Sequence, residues 1–218
     1  MSEVVEKFSD FLTSPTVLVV VGTSSQKTFF LHVGLLVSAS DRFAIALQSD
    51  FKEATERKIV LDEEDPDLFG YFLKYLYGND WLQSQETDHE SKYYVLVRPY
   101  ALGERLQAIR FQRTVLLKFM SSFTIDTQIS DSGLCGLLEV AGAEITPRVD
   151  EDPLRKHLFW YAVRRLTQLQ KYGRFRQLLR DQPDLGIALC LRAGNWLELQ
   201  PGKPTDPAPA RFKSETIF

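Results

Sequence analysis

The run Thr16-Val17-Leu18-Val19-Val20-Val21 is the tightest constraint on how this chain of 218 residues can fold. Branching at Cβ freezes χ1 against the preceding turn of a helix, so a run rich in valine suits a buried strand. A lone strand leaves its backbone groups unpaired and needs neighbours. Gly22-Thr23-Ser24-Ser25 supplies turn chemistry, and Lys27 to Leu31 reads as the returning strand of a hairpin. Lys58-Ile59-Val60-Leu61 reads as a third strand, with Ile59 and Leu61 on the same side.

Elsewhere the apolar period is helical. Residues 3 to 12 place Val4, Val5, Phe8, Phe11 and Leu12 on one face. Leu35 to Gln48 is helical and is split into two short helices by Ser40, an N-cap residue type. Asp65-Pro66 starts the next helix, an N-cap followed by proline at the first helical position. Behind it Leu68, Phe69, Phe72, Leu73 and Leu76 form a broad apolar stripe. Gln83 to Glu90 is a polar loop. Tyr93 to Leu106 and Phe111 to Phe123 are helical, the second with Phe111, Val115, Phe119 and Phe123 on one stripe. Three further helical segments cover Gly133 to Glu144, Pro153 to Tyr172 and Phe175 to Ala193, and Asp152-Pro153 repeats the capping device. After Gln200, four prolines in nine residues end the fold, and residues 200–218 read as a disordered tail. A few strands followed by a run of helices defines an α+β protein with a small three-stranded sheet, flanked by a helical cluster and followed by an all-α extension.

Composition bounds the function classes. The chain is 44% hydrophobic and 25% charged, enough apolar material for a sizeable core. No apolar run reaches the ~20 residues of a membrane helix. The acidic start, Met1 to Lys7, lacks the apolar stretch of a signal peptide, and the chain reads as intracellular, in cytoplasm or nucleus. Cys135 and Cys190, far apart in sequence, make neither a zinc framework nor a disulfide scaffold. Residues 1–100 carry 16 acidic and 9 basic side chains, and the remainder 13 and 17. This asymmetry suggests two parts with different surfaces.

Catalytic and cofactor signals are absent. Val17 to Gly22 followed by Gln26-Lys27-Thr28 resembles a P-loop only superficially, since a P-loop needs glycine before the lysine and a helix after it. None of His32, His89 and His157 lies at ligand spacing from a second His or a Cys. Glu63-Glu64-Asp65 precedes a helix N-terminus, where acids favour the helix dipole, and reads as a solvated, capping patch. The sequence implies no metal and no cofactor. Between Leu154 and Arg180 eight cations occur without an acid. On a continuous helix Lys156, Trp160, Arg164 and Lys171 share the face opposite Leu158, Tyr161, Ala162, Leu166 and Leu169. That face is either a solvated basic surface or a binding face for an acidic partner with Trp160 as its anchor. Nucleic acid is disfavoured by the net acidity.

Residues 16 to about 120 resemble the BTB/POZ domain, a protein–protein interaction fold. The resemblance rests on Phe29-Phe30-Leu31-His32, Leu35-Leu36, Ser40 and Phe43, then Phe51-Lys52-Glu53 and Ile59-Val60-Leu61. It continues through Phe69, Leu73-Lys74-Tyr75-Leu76-Tyr77-Gly78 and Tyr100-Ala101-Leu102-Gly103-Glu104-Arg105-Leu106. The rest of the chain, with Asp152-Pro153-Leu154-Arg155, resembles the helical extension of many fungal BTB proteins. The division implied is a BTB/POZ domain over 1–125, a helical extension over 126–199 and the tail. His32, at the hairpin exit, then has a structural role in satisfying buried backbone groups. The resemblance implies a non-enzymatic, self-associating adaptor whose partners are proteins, with a homodimer face at Val4, Phe8, Leu12, Leu35 and Leu36. Phe51 and Glu53 fit the apolar-x-Glu pattern that ubiquitin-ligase adaptors offer to a cullin, and Phe51 could equally be core. The alternative is a nuclear regulator that meets an acidic partner or nucleic acid through the basic helix. Thr16 and Val33 replace the charged pair that repressors of the family use in a surface pocket.

Overall fold

The fold is described from a computed structural model, for residues 8–48, 51–78, 90–146 and 152–198. Val4, the rest of residues 1–7, nearly all of the polar loop and the proline-rich tail lie outside these. Packing divides the chain into two units, Met1–His157 and Leu158–Phe218.

The first unit opens with α1 (Phe8–Leu12), followed by β1 (Thr16–Val21) and β2 (Lys27–His32). They pair antiparallel, with Val19 opposite Phe29 and Leu18 opposite Phe30. Gly22 ends β1 at φ +82, and a Cβ there would meet the Pro66 ring at 2.9 Å, so the position needs glycine for both conformation and space. Two short helices follow, α2 (Val33–Ala39) and α3 (Asp41–Ala46). Ser40 separates them as expected, its hydroxyl accepting from Phe43 N–H at 3.2 Å while donating to the Leu106 carbonyl at 2.5 Å.

A third short helix, α4 (Lys52–Glu56), ends on Arg57 in the left-handed region. The chain then enters β3 (Lys58–Leu61). β3 runs parallel to β1 and gives the order β2-β1-β3, because the intervening helices provide the crossover that a parallel pair requires. Val17, Val19, Val21, Leu31, Ile59 and Leu61 are buried, whereas Phe30 and Val60 are exposed.

Asp65 caps α5 (Pro66–Leu76) by accepting from the Asp67 and Leu68 N–H groups. Its stripe is buried at Leu68, Phe69, Phe72 and Leu76. Phe72 packs edge-on to Phe111 at 5.3 Å and stacks with Phe43 at 6.1 Å. The helices α6 (Ser91–Arg105), α7 (Ile109–Ser122) and α8 (Asp131–Glu144) complete this unit, with α6 packed against both of the others. On α8 Leu134, Cys135, Leu137, Leu138 and Ala141 are all fully buried. α9 (Pro153–Arg164) begins in the first unit and ends in the second. Asp152 caps it through the Leu154 and Arg155 N–H groups, and its other oxygen accepts from the Tyr100 hydroxyl at 2.6 Å.

The second unit contains α10 (Leu166–Leu169), α11 (Gly173–Asp181) and α12 (Pro183–Glu198). Two segments expected to be continuous are broken. The helix read over Pro153 to Tyr172 stops at Arg165, which leaves helical geometry at φ −105, ψ 10. The helix read over Phe175 to Ala193 stops at Gln182, because Pro183 cannot donate a backbone hydrogen bond and starts a new helix instead. Phe175 and Leu178 of α11 and Leu185 and Leu189 of α12 are buried.

Candidate functional site

The hairpin exits at His32, the last residue of β2. His32 is half-buried, and its Nδ1 lies 3.0 Å from the Tyr77 hydroxyl, which also sits 3.4 Å from the His32 backbone N–H. The ring engages a side chain at α5's C-terminus, and among the described residues it makes no side-chain cap to α2. Among the described residues no group of three or more His, Cys, Asp or Glu side chains could hold a metal. His157 is likewise tied to structure: its Nε2 lies 2.6 Å from the Phe123 carbonyl, with the ring edge-on to Phe119 and Phe123.

The P-loop-like turn borders an open recess of about 450 Å³ that Asp62, Glu63, Asp65 and Asp67 also line. Lys27 is engaged by Asp67 at 2.5 Å. Such a lining repels a phosphate rather than cradling it.

The acidic run beside it divides. Asp65 is the α5 cap, held as a carboxylate below its usual pKa. Burial there pushes the value up, but the Asp67 and Leu68 N–H groups and Arg98 outweigh it. Glu63 is exposed, but Glu64 is buried and receives two N–H groups of Arg105 at 3.0 and 2.9 Å. The expectation of a uniformly solvated patch fails at Glu64, because a guanidinium from α6 replaces its water. Burial disfavours the charge on Arg105, but the bonds to Glu64 and the charges of Glu64, Glu144 and Glu104 raise its pKa. Arg98 bonds Glu144 at 3.0 Å, which links the strand end, α6 and α8 through one set of charges.

The surfaces are more telling. On α1, Phe8 is 49% and Leu12 39% exposed. Phe11 and Ser14 close against α2 at Gly34, where a Cβ would stand 3.1 Å from both, and the Gly34 N–H donates to Ser14 Oγ at 2.9 Å. Leu35 and Leu36 are buried, so α2 offers Val37 and Ser38 outward instead. Phe51, the residue before α4, is 45% exposed, which removes the reading that it is core. Glu53 is half-exposed in the first turn of the same helix.

On α9 Lys156 and Arg164 are exposed and Trp160 is half-buried, with the Arg164 guanidinium 4.9 Å above its ring. Lys171 is exposed but follows α10, beyond the break at Arg165, so it does not continue the α9 face. Sequence reasoning missed Glu64, Arg105 and the Tyr77 hydroxyl, since each finds its partner across more than forty residues. Among the described residues no helix is long and apolar enough to cross a membrane.

A small mixed sheet under a helical cluster, with apolar side chains offered at its surface, defines an α+β interaction module. Residues 7–96 match the BTB/POZ domain family, a span holding α1 to α5, all three strands and the start of α6. The chain thus carries a BTB/POZ domain followed by a helical C-terminal region, and domains of this family mediate contacts between proteins. No curated protein matches the chain.

Proposed function

We propose that this protein is a non-enzymatic, intracellular adaptor that forms a homodimer through its BTB/POZ part and recruits a protein ligand through the helices beyond it. The observation that carries the reading is the exposed pair Phe8 and Leu12, one helical turn apart, on a helix seated against α2. Val37 of α2 is exposed as well, and Leu35 and Leu36 anchor α2 in the core. Burying such residues on a second copy removes apolar surface from water at roughly 25 cal/mol per Å². The double variant Phe8→Glu/Leu12→Glu is expected to run as a monomer in light scattering at concentrations where the unaltered chain runs as a dimer. A monomeric unaltered chain would overturn the reading.

The exposure of Phe51 beside Glu53 supports a cullin scaffold as one partner, with an apolar anchor next to a charge that sets orientation. Pulldown by a purified cullin N-terminal domain should be lost on Phe51→Ala and on Glu53→Ala. The extension is of the kind found in fungal BTB proteins. A second reading, a nuclear regulator meeting an acidic partner or nucleic acid, draws on the Trp160–Arg164 stack. Binding of random duplex DNA that weakens steeply with salt would favour it.

A further inference from the structure

Helix α7 is anchored in the core on one side and basic on the other. Its inner residues Phe111, Val115 and Phe119 are fully buried. Its outer face carries Ile109, 68% exposed, and Leu117, 50% exposed. Arg113 stands between them at helical spacing, and Arg110 and Lys118 lie along one side of the row, all three exposed. The helix has no acidic residue. Lys27 is answered by Asp67, Arg98 by Glu144 and Arg105 by Glu64, whereas Arg57 and Lys58, like the α7 cations, form no ion pair among the described residues. Among the described residues Arg110, Arg113 and Lys118 form no ion pair.

We propose that this face of α7 docks an acidic amphipathic helix of a partner protein. Ile109 and Leu117 lie about 12 Å apart along the axis, two helical turns, so a facing helix meets both with apolar residues repeated every two turns. Carboxylates beside that apolar row then reach Arg110, Arg113 and Lys118, and the Arg113 stem adds apolar cover between the two aliphatics. A nucleic-acid backbone would set charge against Ile109 and Leu117. A membrane would gain only two aliphatic side chains from a helix whose other face is committed to the core. Both are less well matched than a protein helix.

The test uses the full chain and a fluorescein-labelled, lactam-bridged helical peptide carrying leucines two turns apart between rows of glutamate. A peptide of the same composition with the leucines dispersed around the helix is the control. The leucine-row peptide should bind saturably, more weakly as salt rises, and the control should not. Arg113→Glu and Ile109→Ser should each weaken binding by roughly tenfold or more, with the melting temperature little changed because both residues are exposed. Phe8→Glu/Leu12→Glu should leave it unchanged, which separates this face from self-association. No saturation at millimolar peptide, equal binding of the control, or insensitivity to both substitutions would overturn the proposal. So would binding to phosphatidylserine vesicles in place of the peptide.

Discussion

Glu64 and Asp65 are neighbours in sequence with opposite histories. Asp65 is legible from its own surroundings, since Asp-Pro before an apolar stripe announces a helix start. Glu64 is not, because the group that justifies its burial lies 41 residues away on α6. Glu64→Ala should cost about 2 kcal/mol in urea unfolding, since Arg105 keeps partial solvent contact but loses its bidentate partner. The double variant Glu64→Ala/Arg105→Ala should lose less than the sum of the two single losses. Asp65 answers to pH. Its folded pKa lies below the ordinary carboxylate value, so its charge stabilises the fold above about pH 3.9, the unfolded value, and that contribution disappears as pH falls through the folded value. Asp65→Asn keeps an oxygen to cap α5 but no charge. Thermal unfolding should therefore find the variant less stable at neutral pH and the gap closed in strong acid.

The elements the sequence revealed are those with local causes. β1 was readable from its β-branched run, β2 from the turn before it and β3 from its alternation, and α3, α5 and α9 from their caps. Pro183 starts a helix as Pro66 and Pro153 do, but Gln182 rather than an aspartate precedes it, and apolar residues on both sides imitate one continuous helix. The break at Arg165 has no glycine or proline to announce it. Exposure of Phe51 was equally hidden, since it follows a helix end with no apolar period to tell inside from outside. Ser40 has the widest reach of the local signals, because it caps α3 and also bonds the carbonyl that ends α6. Ser40→Ala should lower stability by about 1–2 kcal/mol in denaturant unfolding, more than an exposed cap whose hydroxyl makes a single bond.

Across the whole chain, the family match ends at residue 96, inside α6, while packing carries the first unit on to His157. α8 explains the difference: its leucines are buried and its Glu144 takes Arg98 from α6. A fragment ending at Ile125 should therefore melt at a lower temperature than the whole chain and bind the dye ANS, since it uncovers the side of α6 that α8 protects. Equal melting temperatures would refute this dependence. The same arrangement sets a timetable for biosynthesis. A ribosome releases α6 before it has begun α8, so the side of α6 that α8 covers must wait for about forty further residues of translation, at ~5–20 residues per second. During those seconds the growing chain shows that side of Leu96, Val97 and Ala101 to water, which is the interval in which a sticky nascent helix is most exposed to wrong partners.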